Sequence, residues 1–174
     1  MNDKKTETPQ WRVLYTKPRA EKKAQEILAD RGFEVYLPCT TVVKQWSDRK
    51  KKVIEPLFKS YLFIKSVESQ LYDARKEECI VGFIHFDDHP AVVREKEMDI
   101  IRKIEAGTYE DVVVVDHSIT EGQQVRIKKG ALKGTIGILT EFRGGQRVAV
   151  AIETLGCNLL VNVSVGDIAK VKNN

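Results

Sequence analysis

The 174 residues suffice for one domain or two small ones, and a composition 42% hydrophobic and 31% charged supplies a packed core in an ordinary soluble chain. A formal charge of +4 permits nucleic-acid contact without demanding it. Three widely separated cysteines with no CxxC pair exclude a disulfide framework and a zinc knuckle, and the opening MNDKKTETPQ has no signal-peptide core. No stretch reaches the length of a membrane span. Reduced thiols in the cytoplasm, away from any membrane, are the expectation.

Residues 1–8 are polar and expected to be disordered. Residues 11–16, WRVLYT, predict a strand. Pro18 suits the first turn of a helix, which then runs to about residue 31, with Gly32 as its stop. Stepped at 100° per residue, Ala20, Ala24, Ile27 and Leu28 form the apolar stripe, with Arg19, Lys22 and Lys23 on the outer face. Residues 33–37 and 40–46 predict two more strands, with 47–52 as a charged loop or hairpin tip. EPLFKSYLFIK, at 55–65, reads as a single strand that is apolar on both sides. Alternation places Leu57, Lys59, Tyr61 and Phe63 on one face and Phe58, Ser60, Leu62 and Ile64 on the other. A helix over 68–78, a strand over 80–86 and a helix over 96–106 follow, the last burying Met98, Ile101 and Ile104.

The texture changes after Gly107. From Gly122 onward the helical period gives way to five short β-rich runs, 125–128, 135–140, 147–152, 159–163 and 168–171. They are separated by turn signals such as Gly144-Gly145, and imply a small barrel. Val112, Val113, Val114 and Val115 lead into it, as a strand or as part of an ordered linker. The expected fold class is α+β: an α/β sandwich built on a mostly antiparallel sheet over 9–107, a linker over 108–118, and an all-β barrel over 119–174.

Residues 1–107 hold 21 Lys and Arg against 18 Asp and Glu, and the basic clusters lie in this half. They are Lys17, Arg19, Lys22 and Lys23, then Arg49, Lys50, Lys51 and Lys52. A solvated face is the commoner meaning of such runs. His85, His89 and His117 have no partner at metal-ligand spacing. The chain has no Gly-rich phosphate loop, no dinucleotide fingerprint and no nucleophile elbow. Neither catalysis nor a cofactor nor a metal is expected.

The glycines Gly122, Gly130, Gly134 and Gly137, with Val125 between them in GQQVRIKKGALKGTIG, closely resemble the KOW motif. The first half resembles the NGN domain of the NusG family in WRVLYTKPRAEKKAQEIL, EPLFKSYLFIK and VGFIHF, in the expected order over most of 10–105. The second domain is thereby read as an SH3-like KOW barrel. The flanks Glu55-Pro56-Leu57-Phe58 and Tyr61-Leu62-Phe63 resemble the specialised paralogs of the RfaH and UpxY type. Lys59 and Ser60 stand where the general factor tends to carry Pro and Gly.

The resemblance implies a monomeric transcription elongation and antitermination factor. Tyr15, Tyr61, Phe63 and Phe86 would dock on the clamp helices of the largest subunit of RNA polymerase, with Leu57 and Ile84 beside them. Phe58, Leu62 and Ile64 would build the core. It also implies contact with the exposed non-template DNA strand. Lys17 and Lys23 carry this over directly, while Ile27 and Glu78 depart from the pattern. Backbone contact by Lys17, Arg19, Lys22, Lys23 and residues 49–52 is therefore the expectation. The KOW barrel would bind ribosomal protein S10 or Rho, and polysaccharide operons are the implied target. Its β-branched residues, among them Val148, Val150, Ile152, Val161 and Val163, favour a barrel with no helical alternative. Two other readings stay open: a general elongation and termination factor of the NusG type, and an RNA-binding or ribosome-associated KOW protein. The latter is weakened by Phe142 being the one aromatic after residue 117.

Overall fold

The structure, a computed structural model, describes residues 8–86, 88–107, 109, 111–116, 119 and 121–171. Residues 108, 110, 117 and 118 of the expected linker, His117 among them, and residues 1–7 of the expected tail lie outside these. The chain divides into two compact units: Phe58–Glu95 with the chain up to Leu37, and Pro38–Leu57 with the chain from Lys96 onward. This grouping differs from the expected 9–107, 108–118 and 119–174, because the charged hairpin and the third helix fall with the C-terminal strands.

The first unit holds β1 (Gln10–Thr16), α1 (Glu21–Asp30) and β2 (Glu34–Tyr36). Its second segment adds β5 (Tyr61–Ser66), α2 (Glu68–Ala74), β6 (Ile80–Phe83), β7 (His85–Phe86) and β8 (His89–Pro90). The sheet runs β2-β5-β1-β6 and all its pairs are antiparallel. Leu14 pairs with Leu62 and Arg12 with Ile64, and this face is covered by Ala24 and Leu28 of α1 and Leu71 and Ala74 of α2, all fully buried. The helix expected from Pro18 starts only at Glu21, because Arg19 adopts φ 63° and breaks the helical path. The strand expected over 80–86 is interrupted after Phe83 and resumes as the short ribbon β7–β8.

The second unit holds the hairpin β3 (Cys39–Gln45) and β4 (Lys50–Pro56), α3 (Glu95–Ala106), and β9 (Val113–Asp116). The other strands are β10 (Gln123–Ile127), β11 (Ile136–Phe142), β12 (Gly145–Ile152), β13 (Cys157–Val161) and β14 (Ile168–Lys170). The hairpin tip is shorter than expected, since Lys50, Lys51 and Lys52 already belong to β4. The C-terminal sheet runs β14-β10-β11-β12-β13-β9. The valine run is thus an edge strand, with Val113 opposite Leu160. Val125, Ile127, Leu132, Val148, Val150, Ile152, Leu159 and Val161 are buried. The β11–β12 turn differs by one residue from expectation, because Arg143 and Gly144 are its central pair at φ 52° and 75°. α3 is tied to this unit by Glu97, a buried carboxylate that accepts from the Thr154 N–H at 2.9 Å and its hydroxyl at 2.6 Å.

Candidate docking face and basic surfaces

The second face of the N-terminal sheet begins as a consequence of pairing. Val13 lies opposite Phe63 and Tyr15 opposite Tyr61, while Tyr36 of β2 lies opposite Phe63. Side chains of one parity therefore place Trp11, Val13, Tyr15, Tyr36, Tyr61 and Phe63 on one surface. Its centre is closed: Phe63 is fully buried between Phe58, at 5.8 Å between ring centres, and Tyr36, at 6.3 Å. Its end is open. Tyr15 is 44% exposed and meets Tyr61 edge-to-face at 5.7 Å. That geometry suits the opposed charge of ring face and ring edge.

Two expected members are therefore corrected. Phe63 and Leu57 are buried, Leu57 within the other unit, and neither presents surface in the free chain. The cause is a break in the stretch from Glu55 to Lys65. β4 ends at Pro56, Ser60 turns through φ 62°, and β5 starts only at Tyr61. Alternation cannot be carried across such a turn, so Leu57 shares no face with Tyr61 by parity, and Phe58 does not join Leu62 and Ile64. Phe58 is nonetheless buried, as expected, along with Leu62 and Ile64.

Sequence reasoning missed what holds this turn. Glu21 of α1 is buried and its carboxylate accepts the Ser60 N–H at 2.7 Å. The Ser60 carbonyl accepts from the Thr16 N–H at 2.8 Å. These two bonds fix the residue preceding Tyr61 from both neighbours, at a left-handed conformation that disfavours any side chain. No sequence signal distinguished Glu21 from the surface acids around it.

Ile84 lies beside Val13, two residues along β1 from Tyr15, and Phe86 follows it on the ribbon strand β7. The Ile84 N–H donates to the Val13 carbonyl at 3.0 Å, and the Ala91 N–H returns to the Ile84 carbonyl at 2.8 Å. Ile84 is half-buried and Phe86, on β7, is 55% exposed. The ribbon bearing Phe86 is pinned by Arg12, a buried guanidinium that donates to the Pro90 carbonyl at 2.9 Å. Arg12 was likewise unsuspected, because an arginine within a strand reads as a solvent-facing residue.

The basic residues fall into two groups. Lys17, Arg19, Lys22 and Lys23 are exposed at the start of α1, and Lys17 faces Glu78 across 3.5 Å. Such an exposed pair contributes little to stability, yet it offsets part of the local positive charge. Arg49, Lys50, Lys51 and Lys52 are exposed at the tip and first strand turn of the hairpin, in the other unit.

The C-terminal glycines have separate structural uses. Gly130 and Gly134, at φ 78° and 88°, bracket the turn that buries Leu132. At Gly137 a Cβ would stand 2.6 Å from the Ala149 carbonyl oxygen, so β11 and β12 approach as only glycine allows. Gly122 sits at the entry to β10 and Val125 in the core. Among the described residues no group of three or more His, Cys, Asp or Glu is placed to hold a metal ion, and no helix is long and apolar enough to cross a membrane.

A family profile described as "NusG: Transcription termination factor nusG" matches residues 9–102. The Lactococcus lactis protein named "Transcription termination/antitermination protein NusG" is 25% identical over 160 residues, covering 84% of each chain. The Streptococcus pyogenes protein of that name is 25% identical, covering 92% of this chain and 96% of its own. A solved structure titled "Domain interaction in Thermotoga maritima NusG" shares the fold at a TM-score of 0.59 and 21% identity, across 94% of this chain and 98% of that one.

Proposed function

The chain belongs to the NusG family of transcription termination factors, and from that premise we propose that it is an antitermination factor of the specialised paralog type. Docked on the clamp helices of RNA polymerase, it suppresses pausing or termination on a particular operon, with polysaccharide biosynthesis as the target class. The observation that carries this reading is the open end of the N-terminal sheet. Tyr15 and Tyr61 form an aromatic edge beside a closed and buried centre, and Phe86 is exposed separately on the ribbon that follows Ile84. A monomer seldom leaves such a patch without a partner, and aromatic anchors in a rigid setting are frequent binding hot spots.

Contact with the DNA backbone through the basic groups, and contact of the C-terminal sheet with ribosomal protein S10 or Rho, complete the proposal. The choice of specialised paralog over general factor is supported by Lys59 and Ser60. Ser60 occupies a left-handed position suited to glycine, and the Glu21 carboxylate holds it there. Transcription in vitro through a terminator, with the polymerase of the source organism, tests the role. The expected outcome is increased read-through with the wild-type chain. Increased termination, above all in the presence of Rho, replaces this reading with the general-factor one.

A further inference from the structure

The hairpin of β3 and β4 presents an aromatic side chain that the docking face does not use. Trp46 is 55% exposed, whereas Trp11 is 4% exposed. Lys44 pairs with Lys51 and Gln45 with Lys50, and the Trp46 N–H donates to the Arg49 carbonyl at 2.8 Å, which extends the pairing one step into the tip. Alternation then puts Lys44, Trp46, Arg49 and Lys51 on one face of the ribbon.

This face is costly in the free chain. Like charges directly opposite each other destabilise an antiparallel pair, and a two-stranded ribbon has little stability of its own. Glu55 offsets Lys44, and Asp48 lies 3.8 Å from Arg49. Lys50 and Lys51 have no anionic partner among the described residues. Cations gathered around an exposed indole fit a ligand that is anionic and also flat. An acidic peptide answers the charge and leaves the ring unused. A duplex hides the faces of its bases within the stack. A single strand offers phosphates and open base faces together.

We propose that the β3–β4 hairpin is a single-stranded DNA-binding arm in which Trp46 stacks on a base while Arg49 and Lys51 hold the flanking phosphates. This rests on the reading above in taking the hairpin as a DNA contact, and it adds the stacking residue. The test is fluorescence anisotropy of a labelled oligo(dT) of about 20 nucleotides, titrated with the full chain at roughly 50 and 200 mM salt. Trp46→Ala is expected to weaken binding about tenfold at both salts, and Trp46→Phe to stay within about threefold of wild type. Arg49→Glu with Lys51→Glu flattens the salt slope by about 1.4, the amount for two single-strand phosphates.

Wild-type affinity in Trp46→Ala, or no binding by the wild-type chain, overturns the proposal. So does preference for the same sequence as a duplex, or tenfold tighter binding of oligo(U). Polymerase capture measured in parallel separates this inference from the docking reading. Trp46→Ala that keeps polymerase and binds oligo(dT) about tenfold more weakly is the expected result. A wild-type chain that binds oligo(dT) without polymerase defeats the docking reading and upholds the arm.

Discussion

Tyr15 and Trp46 are both exposed aromatic residues in antiparallel settings, at 44% and 55%, and what lies beneath them differs. Tyr15 belongs to a central strand, flanked on both sides, with fully buried Val13 and Phe63 next to it on the same surface. Trp46 closes a ribbon of two strands in which residues 43–52 are all exposed. The first arrangement is a preformed plate, whose side chains lose little freedom on binding. The second suits a ligand that is itself extended and flexible. Exposure alone therefore does not identify a partner, whereas the burial and charge of the neighbouring pairs separate the proposed docking edge from the proposed nucleic-acid arm.

The sharpest way to break this contrast is to remove the foundation of the plate. Phe63→Ala deletes a fully buried ring and is expected to cost about 3–5 kcal/mol of stability, read as a lowered urea midpoint. Trp46→Ala in the same assay is expected to change stability by no more than about 0.5 kcal/mol. Equal destabilisation by the two removes the distinction. Next in size is Glu21→Ala, which leaves the Ser60 N–H without its partner and is expected to cost about 1–3 kcal/mol. It should also weaken whatever Tyr61 binds, and unchanged stability would show that the turn needs no clamp.

The second unit offers a comparison by pH. Burial, and secondarily the Glu97 carboxylate, push the Cys157 thiol up to about 12. The folded value lies above the unfolded one of 9.0. Its contribution to stability is therefore complete below about 9 and is lost as pH rises from there towards 12. In native protein at pH about 8, Cys157 should alkylate at least ~10-fold more slowly than half-exposed Cys39. Equal rates by mass spectrometry contradict this. One further effect has the opposite sign. Ser60→Gly relieves a side chain held at φ 62° and is expected to stabilise by about 0.5–1 kcal/mol at most.

These residues also show where the sequence was readable. The C-terminal strands follow from β-branched runs punctuated by Gly134, Gly144 and Gly156, where composition and backbone agree. The break between β4 and β5 carries one local signal, Pro56 at its start, while the left-handed residue itself is Ser60 and not the glycine that would disclose a turn. Local pattern consequently reads 55–65 as one strand and puts Leu57 on the side of Tyr61. Arg19 and Arg143 are similar cases, both left-handed without being glycine, and each moved an element boundary. Glu21, Arg12 and Glu97 were unreadable for another reason. Each is a charged residue buried against a long-range partner, 39, 78 and 57 residues away, and local pattern carries no trace of such pairings. The candidate surface was legible in part: Tyr15 and Tyr61 meet at the open end and Phe86 is exposed on the ribbon, whereas the closed centre was not foreseen.

The most direct test of the central claim is capture of RNA polymerase by the chain carrying Tyr15→Ala and Tyr61→Ala, with thermal unfolding confirming that the fold is kept. The two substitutions remove the edge-to-face pair of exposed Tyr15 and half-buried Tyr61 and leave Phe63 and the sheet in place. Binding weaker by at least ~100-fold, at a near-native melting temperature, is the predicted result, since each aromatic anchor is expected to cost about 2 kcal/mol or more. Wild-type affinity in a folded double variant would contradict the account and remove the open end of the sheet as the polymerase-docking face.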